Sequence, residues 1–296
     1  HYPLRRQRQM CIRDRDGAWT FSSPINLLGG NTFVLNGGAG TYTLNEVNVI
    51  GTSLVRIGTY CNTIFQGNVS VVDNANFRVF SSSTPTVTCN GNWVFGDNSM
   101  INLGFNSNAD WTFSGTGTFT AGDDNTIIVD CGARNFIFND FTIGENNSIK
   151  FPDGQETIFN GNFVTNGGNC EGPNRIESTS NATQARLRFA VAEIESNLRV
   201  KDIRVLTNNL TVTNGTDVSN NTNVTFNSTP YTLYWVGGTS DKNGEFTTGD
   251  NNNWSNPDNW SITDGVYSGK NSCLPGIEDA VIFNANSYTA IANSTI

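Results

Sequence analysis

Beyond its first residue the chain has no histidine, and that gap removes more chemistry than any other feature. No Ser-His-Asp or Cys-His arrangement is available for nucleophilic catalysis, and no imidazole for a zinc site. Charge is scarce too, at 15% of 296 residues. No apolar run approaches the roughly 18 residues that a membrane-spanning helix needs, so membrane insertion is not expected. The formal charge of −9 and a pI near 4.6 repel phosphate backbones, so no nucleic-acid role is expected. None of the six cysteines forms a CxxC pair.

The first fifteen residues differ from all that follow. They hold five arginines (Arg5, Arg6, Arg8, Arg13, Arg15) and His1. Met10-Cys11-Ile12-Arg13-Asp14-Arg15 resembles the in-frame translation of an adapter used in sequencing libraries. Residues 1–15 are therefore read as a non-native, disordered leader and set aside. With five of the 17 basic residues and one of the 26 acidic ones gone, 12 remain against 25, a net charge of −13. Five cysteines also remain: Cys61, Cys89, Cys131, Cys170 and Cys273. They read as small buried residues, with room for one bridge; an odd number cannot pair completely.

What fills the chain is Asn, Thr, Ser and Gly around a steady supply of apolar residues. The hydrophobic share is 36% and the aromatic share 11%. Such a chain can bury a core at regular intervals and is not disordered. Short runs recur: Thr32-Phe33-Val34-Leu35, Val47-Asn48-Val49-Ile50, Phe77-Arg78-Val79-Phe80, Thr126-Ile127-Ile128-Val129 and Phe136-Ile137-Phe138. Each closes within a few residues at Gly, Asn or Asp, which accept the left-handed backbone of tight corners. This predicts all-β structure.

The runs repeat instead of mirroring one another. Thr63-Ile64-Phe65-Gln66-Gly67-Asn68-Val69 matches Thr157-Ile158-Phe159-Asn160-Gly161-Asn162-Phe163, and Thr88-Cys89-Asn90-Gly91-Asn92-Trp93-Val94 is a looser copy. A strand–corner–strand unit cannot cover its own apolar face, but stacked on copies of itself it makes a continuous core. The expected fold is a parallel β-helix over residues 16–232. With coils of roughly 20–25 residues, it would hold about nine or ten of them. A β-sandwich array with antiparallel neighbours is the alternative. Ala182 to Val205 is charged and poor in Asn. It reads as strands, with a short helix as the alternative, because Leu187, Val191, Ile194 and Leu198 fall at helical spacing.

Past Thr232 the style changes again. Tyr234-Trp235-Val236-Gly237-Gly238, Asn253-Trp254-Ser255-Asn256-Pro257-Asp258-Asn259-Trp260-Ser261, Leu274-Pro275 and Asp279-Ala280-Val281-Ile282-Phe283 resemble a connector of very large repetitive surface proteins of Bacteroidetes. These include gliding-motility-type adhesins exported by the type IX route. Trp111 to Thr120 and Asn209 to Thr216 are similar to phrases of the β-helical blocks that alternate with that connector. The resemblance implies a secreted, cell-surface segment of a longer protein, with residues 233–267 as a Trp-rich connector. Residues 268–296 would then open a further β block, cut short at the C-terminus. The chain departs from that pattern in placing Thr239 to Asn252 between Gly-Gly and the first Asn-Trp-Ser.

Candidate sites are few. Trp235, Trp254 and Trp260 could form a platform for sugars, or the connector's own miniature core. Asp241, Asn243, Glu245 and Asp250 offer oxygen ligands for calcium in a polar loop, without the spacing of an EF-hand. Asp123-Asp124 reads as a corner turn, and Asp130 and Asp140 stand alone. Glu193 and Glu195 alternate near Arg186 and Arg188 as a solvated charged strip. Catalytic residues are not expected and no cofactor is needed, calcium aside. The chain reads as a non-enzymatic structural or adhesive segment, extracellular and monomeric, meeting glycans or solid surfaces. A carbohydrate-binding or polysaccharide-degrading β-helix is the alternative.

Overall fold

The computed structural model describes residues 10–14, 17–37, 40–57, 62–81, 86–105, 110–115, 117–130, 135–167, 173–227, 230–237, 254, 259–266, 275 and 279–287. Among these there is no α-helix. The chain winds as a β-solenoid with three flat faces. Its first coil is Met10–Asp14, Ala18–Phe21 and Ile25–Leu28; the second repeats it as Thr32–Gly37, Thr41–Leu44 and Val47–Ile50. The first face becomes a ten-stranded sheet, the second a nine-stranded sheet and the third a seven-stranded one. Seven coils are complete in all three sheets. In the coils that follow, the third face resumes as a separate three-stranded sheet from Glu193–Ser196 to Val224–Asn227. Met10–Asp14, which the sequence set apart, pairs in parallel with the next strand, Met10 lying opposite Phe33.

Every strand-to-strand pairing described in the solenoid is parallel, one isolated antiparallel bridge between Asp153 and Ala185 aside, and this excludes the sandwich. Asn62–Phe65 and Glu156–Phe159, the repeated phrases, lie in the same sheet and run in the same sense. Phe65 and Phe159 both point inward and are buried. Ala182 to Val205 holds strands only: Ala185–Phe189, Glu193–Ser196, Leu198–Lys201 and Ile203–Thr207.

Period-two patterning makes the core. In Thr126–Val129 and Asp140–Ile143 every second residue is buried and the residues between face out. Because strands pair in register, inward residues of one coil lie over those of the next. Phe113, Phe138, Phe159 and Phe189 stack in one file, with near-parallel rings 5.1, 5.4 and 5.3 Å apart. Phe119, Phe141 and Phe163 form a second file at 4.9 and 5.6 Å. Offset stacking of this kind adds roughly 0.5–1.5 kcal/mol per pair to area burial. Cys89 sits in this interior as a free thiol, and burial holds its pKa well above the usual value, so it acts as a small apolar residue. Cys61, Cys131, Cys170 and Cys273 lie outside the described residues.

The corner between the third and first faces shows how the coils are locked. Its repeats are Asp73-Asn74-Ala75, Gly96-Asp97-Asn98-Ser99, Gly122-Asp123-Asp124-Asn125 and Gly144-Glu145-Asn146-Asn147. Asn74, Asn98, Asp124 and Asn146 take positive φ, between 52° and 59°, a conformation that Asn and Asp tolerate. Asp123-Asp124 is thus a corner turn. Outside the turn, the Asp97 and Asp123 amides donate to the carboxylates of Asp73 and Asp97 one coil back, at 2.9 and 2.8 Å. A Cβ on Gly96, Gly122 or Gly144 would come within 2.0 Å of an Asp side-chain oxygen, so glycine is required there.

Inside the turn runs a buried amide ladder. The Ser99 amide donates to Asn125 Oδ1 at 2.7 Å, Asn125 to Asn147 Oδ1 at 2.9 Å, and Asn147 to Asn174 Oδ1 at 2.7 Å. Asn147 Nδ2 also donates to the Gly122 and Glu145 carbonyls, at 3.0 and 3.1 Å. The links span 26, 22 and 27 residues, so coil length varies while the corner stays in register. Later coils shorten, with links of 18 residues such as Ile203 N to Asn221 Oδ1. There each corner turns on one left-handed residue, Asn197, Asp202, Asn208 or Asn214. Both the longest and the shortest links fall outside the 20–25 expected, because loop length at a corner does not affect the ladder.

Asn147 therefore supplies one acceptor and two donors inside the protein. Leaving such buried groups unpaired costs roughly 1–3 kcal/mol each. Asn147→Ala is expected to lower unfolding stability by about 3 kcal/mol in urea titration, and Asn147→Ser, which mimics Ser99, by about half as much.

Candidate functional site

The sequence nominated the connector first. Thr232–Trp235 is the central strand of a small separate sheet. It pairs antiparallel with Trp260–Ser261, Trp235 opposite Trp260, and parallel with Ala280–Ile282. This brings the three candidate tryptophans together: Trp235 and Trp260 centroids are 4.9 Å apart, and Trp254 and Trp260 4.5 Å, all edge to face. Trp260 is fully buried and its indole N–H donates to the Trp254 carbonyl at 2.9 Å. Trp235 is buried as well. Trp254 alone keeps an open face, at 49% exposure, with Phe283 6.3 Å away. Two of the three indoles are thus committed to a miniature core with Leu233, and one edge remains for a ligand.

Asp279 ties this sheet to the preceding chain by accepting the Tyr231 amide at 2.8 Å. The Tyr231 hydroxyl donates to Asn197 of the solenoid at 3.2 Å, and burial raises its pKa. The calcium candidates Asp241, Asn243, Glu245 and Asp250 lie outside the described residues. Among the described residues no cluster of three His, Cys, Asp or Glu is poised for a metal ion. No helix among them is long and apolar enough to cross a membrane.

The structure assigns Glu193 and Glu195 a different place from the solvated strip that the sequence suggested. They sit where the third face breaks. In its earlier coils the amides of Val47, Val69 and Phe141 donate to carbonyls one coil on, those of Asn68, Asn92 and Asn162, at 3.0, 2.9 and 2.8 Å. Phe163 is next in that file, and its amide faces the carboxylate of Glu193, whose Oε1 is buried without a hydrogen bond among the described residues. Two residues on, the Thr165 amide and hydroxyl both donate to Glu195 Oε2, at 2.7 and 2.6 Å. Glu195 thus bridges the seam in place of a main-chain carbonyl, with Glu193 beside it, and the sheet restarts beyond it.

The seam costs desolvation. Glu195 is buried, and that burial is the main reason its carboxyl is held up at about 7; the two bonds from Thr165 pull the other way and the Glu193 charge adds to the rise. Burial also raises the Glu193 pKa, against the bond from Phe163. The nearby arginines do not neutralise the pair: Arg188 is bonded to Glu156, and Arg186 is exposed on the second face. Chemically the seam offers a carboxyl that carries its proton near neutrality. Its oxygen is already committed to Thr165. Alternation of Glu193 and Glu195 was visible in the sequence, but which face the strand buries was not.

Compared with known proteins, the chain matches no family model, no curated protein and no solved structure.

Folding raises the Glu195 pKa above its unfolded value near 4.5. The folded state then binds the extra proton, so this carboxyl's contribution is fully present below about 4.5 and is lost as pH rises through about 7. Glu195→Gln keeps an acceptor for Thr165 without the charge. The variant is expected to match the parent near pH 4 and to exceed it by about 2 kcal/mol at pH 8, read from urea titrations at both values. An equal difference at the two pH values would contradict the burial of a titrating carboxyl.

Proposed function

We propose that this chain is a non-enzymatic structural and adhesive segment of an extracellular, cell-surface protein. The observation that supports it most is the unbroken stack of seven coils, in which main-chain ladders, aromatic files and buried amide ladders all run along one axis. Each coil is held by both neighbours, so local opening must break several ladders together. A segment built this way resists deformation along its length, which suits a spacer between a cell and what it contacts. The polar Thr, Asn and Ser residues that face outward offer hydrogen bonds to glycans or hydrated solids.

The chemistry of the carboxylates agrees with this reading. Polysaccharide hydrolysis needs an acid and a base flanking an accessible bond. Glu195 is buried beneath its own strand and engaged by Thr165. Asp123 and Asp124 accept bonds within the corner ladder. Asp140 likewise receives the Asn162 amide at 2.8 Å. The half-open Trp254 favours sugar contact without cleavage, because a ring face binds by stacking and supplies no proton.

Incubating the protein with a panel of plant, algal and bacterial polysaccharides, and following reducing ends and unsaturated products, tests the proposal. Retention of glycan without turnover over a day is expected. Sustained turnover that survives repurification would overturn the non-enzymatic reading.

A further inference from the structure

Basic residues are few in this acidic chain, yet the structure gathers them. Arg175, Arg186, Arg188, Arg199, Lys201 and Arg204 all fall on two consecutive strands of the first face and the two second-face strands beside them. Strand register puts like charge against like. Arg175 lies directly opposite Arg199 on the first face, and Arg186 directly opposite Arg204 on the second. All four are exposed. Neighbouring strands are about 4.8 Å apart, and like charges directly opposite one another destabilise a sheet.

Among the described residues the acidic groups nearby are occupied or turned away. Glu177 pairs with Lys150 at 2.9 Å, and Glu156, which lies opposite Arg186 in register, pairs with Arg188. Asp202, at the corner between the two faces, is buried and accepts from Asn220 and the Ala182 amide. Its distance to Lys201 is 3.9 Å. Glu193 and Glu195 are spent on the seam. At the margins, Asp153 is bonded to Thr179 and Asp217 to Asn221. Among the described residues no ion pair engages Arg175, Arg186, Arg199 or Arg204. Two arginine pairs that make no ion pair among the described residues therefore flank one corner of a molecule whose overall charge is negative.

We propose that this corner binds an acidic polysaccharide, a chain with a carboxylate or sulfate on successive sugars. The inference rests on the adhesive reading above and names its ligand class. Guanidinium groups take carboxylate and sulfate oxygens in paired hydrogen bonds. Two arginine pairs on adjacent faces call for several anions on one strand, not a single ion. A nucleic acid would also bring serial anions. The surrounding net charge opposes its denser phosphate array, and among the described residues no exposed aromatic ring neighbours the four arginines to stack a base.

The test uses the full chain with polygalacturonate, a sulfated galactan, neutral dextran and single-stranded DNA of matched length, by calorimetry at two salt concentrations. Binding to one or both acidic glycans, weakening at higher salt, is expected, with none to dextran and at least tenfold weaker binding to DNA. The first two arms distinguish carboxylate from sulfate. The double variants Arg175→Gln/Arg199→Gln and Arg186→Gln/Arg204→Gln should each weaken binding at least tenfold, while Arg78→Gln, several coils away, changes nothing. Thermal unfolding of the double variants should be unchanged or raised, since like charges are removed, so a fall in binding would not reflect misfolding. Absence of acidic-glycan binding, indifference to the double variants, or equal affinity for DNA would overturn the proposal. Release of reducing ends in the same samples would instead overturn the non-enzymatic reading and leave the arginine site standing.

Discussion

The fold depends on one constraint: every coil must present to the next the same ladder of main-chain groups and the same inward files of side chains. Parallel strands need a crossover between them, and here the crossover is the other two faces of the coil. Each strand then finds its partner one full coil on, irrespective of how many residues the coil contains. Links of 18 and of 27 residues coexist because only the strands and corners must superpose. The loops absorb the difference. The same constraint explains the corners: Gly96, Gly122 and Gly144 leave room for the carboxylate below, and the residues that follow supply the next rung.

Where the constraint lapses, the structure becomes chemically distinctive. At the seam of the third face, Glu195 stands in for an absent carbonyl, with a proton held near neutrality as the consequence. On the first and second faces of the same region, register itself stacks arginine on arginine. Both features arise from the departure of this stretch from the Asn- and Thr-rich style of the earlier coils. A stretch that weakens its own ladder and concentrates its own charge is a natural place for recognition to lie.

Much of the architecture was legible in the sequence. Alternating burial and Asn-Gly corners marked the strands, and the shared phrase at Thr63 and Thr157 marked the stacking. The helical spacing of Leu187, Val191, Ile194 and Leu198 proved a coincidence of two patterns: Leu187 and Leu198 are buried, whereas Val191 and Ile194 face out. The charged strip was misread for a related reason. Alternation places Glu193 and Glu195 on one face, but only the break in the sheet decides that this face is inward. The arginine pairs were out of reach, because residues 18 and 24 positions apart become neighbours only once coil lengths are known. The sequence grouped Trp235, Trp254 and Trp260, and their rings do meet, yet the sheet they pack on includes a strand, Ala280–Ile282, far along the chain.

The claim that coil stacks on coil in register is tested most directly by a distance along one outward file. Thr43 and Ile158 face out on the second face, related through Ile64, Thr88, Thr112 and Ile137 on the four strands between them. Five strand spacings give a backbone separation of about 24 Å. Pulsed electron resonance between nitroxides at those two positions should return a single narrow distribution around that distance, widened by the label arms. A broad distribution, or a maximum well beyond it, would contradict the stacked solenoid.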